Sequence, residues 1–117
     1  LTEDGFVDFG EFRLKLLPDQ FEVLREENLI DKTITFGIRP EDINEANLGG
    51  TGESVKALVE IVENLGSEKI LHLRIGSIHL EAVFGSEPKI REGDEIGISF
   101  NMRKAHVFNK ENGKAVF

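Results

Sequence analysis

The sequence predicts a mainly β fold, a small barrel or sandwich accompanied by one short helix. Three observations carry that expectation. About eight short apolar runs, several of them alternating with polar residues, recur at intervals near 8 to 12 residues, the rhythm of a compact β domain. The breaks between runs hold turn chemistry, as at Gly10-Glu11, Gly76-Ser77 and Asn112-Gly113. No heptad pattern and no internal repeat is evident.

Taken in order, Phe6-Val7-Asp8-Phe9 and Phe12-Arg13-Leu14-Lys15-Leu16 read as a hairpin or one bent strand. Pro18 to Asn28 opens with Pro and Asp and sets Phe21 and Leu24 three apart, which predicts a short helix. In Thr33 to Asp42, Ile34, Phe36 and Ile38 alternate with Thr33, Thr35 and Gly37, the period of a strand with one buried face. Pro40 ends that strand, because it donates no ladder hydrogen bond and forces Arg39 to be extended. Arg39, Glu41 and Asp42 are therefore expected at an exposed strand end, where charged turn residues are ordinary surface. The glycine-rich stretch 44–54 reads as a flexible internal loop. It has the glycines of a phosphate cradle but lacks the Gly-Lys pair whose lysine reaches the phosphates.

Residues 55–65 are ambiguous. Val55, Leu58, Val59, Val62 and Leu65 fit a helical face, while Val55, Ala57, Val59 and Ile61 fit a strand. Periodicity leans to helix; β-branched content and the Gly66-Ser67 stop lean to strand. Ile70 to Ile75 and Ile78 to Val83 flank Gly76-Ser77, a two-residue loop suited to a type II′ hairpin. Pairing Ile75 with Ile78 puts Leu71, Leu73, Ile75, Ile78, Leu80 and Ala82 on one face. On the other face His72 stands opposite Glu81, and Arg74 opposite His79. Two nearby histidines raise a metal hypothesis, but no third ligand is evident, so surface pairing is the better reading. Ile90 to Ile96 reads as a turn leading into a strand over 96–100, and 105–108 with 114–117 brackets a last hairpin.

Composition narrows the function. The 117 residues suffice for one domain with a modest core. Residues 1–54 hold 13 acids and 5 bases, whereas 55–117 hold 9 of each, so the net charge of −8 belongs to the first half. That surplus repels phosphate backbones and anionic lipid, and no Trp or Tyr is present to stack bases. Neither nucleic-acid binding nor membrane insertion is expected. With no cysteine there is no disulfide, thiolate metal site or cysteine nucleophile, in keeping with a reducing compartment. No Ser, His and Asp constellation is spaced for catalysis, and no carboxylate pair stands out, so an enzyme is not expected. Leu1 is not an initiator methionine and no leader is recognisable, which suggests a fragment.

Four stretches say more than their physics. Gly37-Ile38-Arg39-Pro40-Glu41-Asp42, then Val62-Glu63-Asn64-Leu65-Gly66-Ser67-Glu68, then Arg91-Glu92-Gly93-Asp94, then Ala105-His106-Val107-Phe108 before Asn112-Gly113-Lys114-Ala115, stand in family order. Together they resemble the C-terminal domain of the ATPase subunits of bacterial sugar ABC importers, of which the maltose and glycerol-3-phosphate importers are type members. The resemblance runs from about Phe6 to the end; the helix-like stretch 18–28 and Asn101-Met102 depart from the pattern.

The resemblance implies an OB-fold-like small β-barrel of the TOBE/MOP-like kind, and it turns 55–64 into a strand. It implies that 1–117 is a single C-terminal regulatory domain appended to an ATP-binding domain. It implies no cofactor here, ATP and magnesium belonging to the absent domain. The implied partners are a second copy of the same subunit in a homodimer, the importer's membrane subunits through the parent protein, and a possible regulatory protein. The implied location is cytoplasmic, at the inner face of the membrane. Gly37, Arg39, Pro40, Glu41, Leu65, Gly66, Glu68 and His106 are the motif and candidate contact residues, with Arg39 and Glu41 organising their turn. That Leu65 packs in the core and Gly66 merely supplies a turn stays open. The competing reading is a small-ligand or oxyanion-binding barrel; a nucleic-acid barrel rests on fold analogy alone.

Overall fold

The structure is a computed structural model that describes residues 1–46, 54–86 and 89–117. Its elements run β1 (Phe6–Asp8), β2 (Arg13–Lys15), α1 (Pro18–Glu26), β3 (Ile34–Gly37), β4 (Ile43–Glu45), β5 (Val55–Asn64), β6 (Glu68–Ile75), β7 (Ile78–Gly85), β8 (Glu95–Phe100) and β9 (His106–Asn109), with short 3-10 turns at Pro40–Asp42 and Met102–Lys104. Of the loop expected over 44–54, Asn44 and Glu45 belong to β4, and 47–53 lie outside the described residues. The chain divides into two compact units, residues 1–38 with 102–117, and residues 39–101.

In the first unit, β1 and β2 form the antiparallel hairpin that the Gly10-Glu11 break foreshadows, with Gly10 at φ +87° and its N–H donating to Asp8 Oδ1 at 2.8 Å. Helix α1 starts where Pro18 fixes φ, and Gln20 Oε1 reaches back to accept from Leu17 N–H at 3.1 Å. It ends in a left-handed residue, Asn28 at φ +58°, and Leu29 N–H donates to Leu24 O across the last turn, satisfying a free helix carbonyl. β3 pairs antiparallel with β9 from Ile34↔Asn109 to Gly37↔His106. Val7, Leu16, Leu24, Leu29 and Val107 are buried together, and Phe9, Phe21 and Phe36 pack against them.

In the second unit, five antiparallel strands lie in the order β4-β8-β5-β6-β7. β4 also touches β7, so the sheet curls until its two edges meet and is nearly a closed barrel. Its interior holds Ile43, Val59, Leu71, Leu73 and Ile98, each almost fully buried. The β6–β7 hairpin has the expected register, with Ile75↔Ile78, Arg74↔His79 and His72↔Glu81. Of its two loop residues Gly76 alone has positive φ, +60°, as a type II′ turn requires.

The ambiguous stretch is strand β5, and a bulge explains the ambiguity. Val59 pairs with Leu73 but Ile61 with His72, so Glu60 is one residue too many on β5. Before the bulge Ala57 and Val59 face inward; after it Val62 pairs with buried Leu71 and Ile61 is turned outward. The inward step from 59 to 62 is three residues, and that step mimics a helical period.

Candidate functional site

The motif residues fall in three places. Residues 39–42 form a 3-10 turn packed against β7. Arg39 is extended (φ −80°, ψ 149°), as the following proline dictates. Arg39 Nε donates to Asp42 Oδ2 at 3.0 Å and lies 3.4 Å from Glu41 Oε1. Asp42, only 8% exposed, is the buried member, and its carbonyl accepts from Asn101 N–H at 2.9 Å. Arg39 meets both Glu41 and Asp42, the shorter contact being with Asp42, which was expected at an exposed strand end and is buried instead. The only signal for it was its place beside the motif proline.

Gly37 and His106 are opposite each other on β3 and β9 of the first unit. A Cβ on Gly37 would lie 3.3 Å from Phe108 Cε2, so the glycine is there to admit that ring. His106 Nδ1 lies 3.2 Å from the Phe117 carbonyl oxygen. In the same unit Arg103 Nη1 donates to Asp19 Oδ2 at 2.8 Å and thereby lowers the Asp19 carboxyl below its ordinary value, as the Thr2 hydroxyl does for Asp4.

Leu65, Gly66 and Glu68 form the turn between β5 and β6. Leu65 N–H donates to Glu68 O at 2.8 Å, Gly66 takes φ +93°, and its N–H donates to Asn64 Oδ1 at 3.0 Å. Gly66 thus supplies the turn. Leu65 does not pack in the core: its side chain is 59% exposed. The Arg91–Asp94 motif serves the bulge. Gly93 N–H donates to Val59 O, Val59 N–H to Asp94 O, and Glu92 Oε1 accepts from Val62 N–H. This turn therefore occupies the β5 backbone where the β8 ladder stops.

The outward face of β5, β6 and β7 carries more pairing than the His72–Glu81 pair across the hairpin. His72 Nε2 lies 2.9 Å from Glu63 and its Nδ1 3.6 Å from Glu81. Glu60, the bulged residue, meets Arg74 at 3.4 Å and His79 at 3.2 Å. Among the described residues no group of three or more His, Cys, Asp or Glu is arranged to hold a metal ion.

The comparisons with known proteins fit this geometry. The profile of the TOBE domain matches residues 36–108, more than half of the chain. The chain belongs to the TOBE domain family. The profile of the MalK OB fold domain matches residues 1–43. The trehalose/maltose import ATP-binding protein MalK of Thermococcus litoralis is 56% identical over the whole chain, which covers 32% of that relative. The oligosaccharides import ATP-binding protein MsmX of Bacillus subtilis is 34% identical over 92% of the chain and 30% of the relative. The multiple sugar-binding transport ATP-binding protein MsmK of Streptococcus mutans is 32% identical over 83% of the chain and 26% of the relative. This TOBE domain therefore spans about a quarter to a third of the length of these relatives. No helix among the described residues is long and apolar enough to cross a membrane.

Proposed function

We propose that this TOBE domain is the regulatory and dimerisation part of the ATP-binding subunit of a sugar ABC importer, holding two such subunits together. The observation that carries the reading is the match of the whole chain, at 56% identity, to 32% of the length of an import ATP-binding protein. On this reading ATP and magnesium bind elsewhere in the subunit, which works on the cytoplasmic side with the importer's membrane subunits. The domain itself does no chemistry. A persistent contact between two copies keeps the partner nucleotide domains at high effective concentration after ATP is hydrolysed and their own interface is lost. A regulatory protein bound here would bias the transporter only by contacting its open and closed states differently.

We take the turn that carries the exposed Leu65 as the contact between copies. Sedimentation of the chain over a concentration series tests the reading. A reversible dimer by high micromolar concentration is expected; strictly monomeric behaviour there would count against self-association. Titration calorimetry with maltose and with molybdate should register no heat, and a stoichiometric signal would favour a small-ligand barrel instead.

A further inference from the structure

We propose that Asn112 is a site of spontaneous covalent modification, converting to aspartate and isoaspartate in the folded chain and adding a negative charge to the last hairpin. Of the seven asparagines in the sequence, Asn112 alone is followed by glycine. Asn112 and Gly113 are both exposed, in the loop after β9. That loop is closed by Asn109 N–H donating to Lys114 O at 2.9 Å and by the bridge between Phe108 and Ala115.

In the reaction the Gly113 backbone nitrogen attacks Asn112 Cγ and a cyclic imide forms. The new bond is N–Cγ and the broken bond is Cγ–Nδ2; ammonia leaves, carrying the proton that the Gly113 nitrogen gives up. Water then opens the ring at Cγ, which gives aspartate, or at the backbone carbonyl carbon, which gives isoaspartate with an extra methylene in the main chain. During the attack an electron pair moves onto Oδ1. Lys114 N–H already donates to that oxygen at 2.9 Å, so the developing oxyanion is held. Opposing the reaction, Gly113 N–H donates to Asn109 O at 2.8 Å, and that bond must open before the nitrogen attacks. The isoaspartate product lengthens the loop between Asn109 and Lys114, whose bond closes the hairpin.

Asn64 is a matched comparison within the same molecule. It too is exposed, its Oδ1 accepts from Gly66 N–H at 3.0 Å, and the N–H of the next residue, Leu65, donates to Glu68 O at 2.8 Å. The two asparagines therefore share both the hydrogen bond on the amide oxygen and the engaged backbone nitrogen. They differ in the residue that supplies the nitrogen: Leu65 crowds it with a side chain, and Gly113 leaves it open.

Peptide mapping by mass after storage of the chain in mildly alkaline buffer tests the proposal, with an isoaspartyl methyltransferase to label the rearranged product. Aspartate and isoaspartate should accumulate at 112 at least about tenfold faster than at Asn64, and more slowly than in a free peptide of residues 109–115. Leu65→Gly, which removes the crowding side chain, should open a second site at Asn64. Asn112→Gln should abolish the acidic shift of the stored protein; a shift that persists would place the reaction elsewhere. An Asn112 that stays intact while the free peptide converts overturns the proposal, as does a wild-type Asn64 that converts equally fast or a Leu65→Gly chain whose Asn64 stays intact.

Discussion

The turn at Arg39–Asp42 and the turn at Leu65–Glu68 both carry family motifs, and the structure treats them in opposite ways. In the first, the side chains close on one another: Arg39 meets Asp42 and Glu41, Asp42 is buried, and its carbonyl anchors Asn101. In the second, the backbone closes on itself and the one large side chain, Leu65, faces solvent. A motif whose groups are satisfied within the chain serves architecture. On the proposed reading, the motif that leaves an apolar group outside is the one that meets a second copy.

Substitutions in the two turns test that contrast. The largest effect is expected at Asp42→Ala, which removes the buried carboxylate under Arg39 and should lower the unfolding free energy in urea by about 2 kcal/mol. Gly37→Ala should follow at about 1 kcal/mol, because the new methyl would press on the Phe108 ring. Glu41→Ala touches the same arginine as Asp42, yet both members of the Arg39–Glu41 pair are largely exposed, so its loss should stay under about 0.5 kcal/mol. Equal costs at Asp42 and Glu41 would mean that the turn is held by surface charge rather than by its buried member.

The smallest effect concerns Asp19 and shows itself in pH. The Arg103 hydrogen bond depresses the folded-state value of this carboxyl below 3.8, so the contribution is complete above 3.8 and is lost as the pH falls below it. Thermal midpoints of the wild type and Asp19→Asn should therefore differ slightly at neutral pH and converge in acid. A gap that persists in acid would assign the effect to packing instead.

Much of this was legible in the sequence because its rules are local. The β6–β7 register followed from a two-residue Gly-Ser loop and an alternating pattern, and Pro40 fixed the geometry of Arg39 without help from the rest of the chain. The helix at 18–26 was announced by its proline and aspartate. The failures were at places where distant residues decide. The bulge at Glu60 is held by bonds from Val59 and Val62 to the 93–94 backbone and the Glu92 side chain, about thirty residues away, so periodicity alone leaned to a helix over 55–65. The same event turned Ile61 outward, and only the three-residue step from Val59 to Val62 hinted at it. Asp42 was expected at the surface with Arg39 and Glu41 and is buried instead, because burial of one charge among three in a turn is set by the strand it packs on, not by its neighbours in sequence.

The most direct test of the contrast is Leu65→Asp, followed by melting and by sedimentation together. Replacing a turn side chain this exposed should change stability by under about 0.5 kcal/mol, a shift of at most about 3 °C in melting temperature. The variant should then sediment as a folded monomer at concentrations where the wild type is a dimer. A Leu65→Asp chain that melts like the wild type and still dimerises would contradict the account, for it would leave this turn without the external use that its exposed leucine implies.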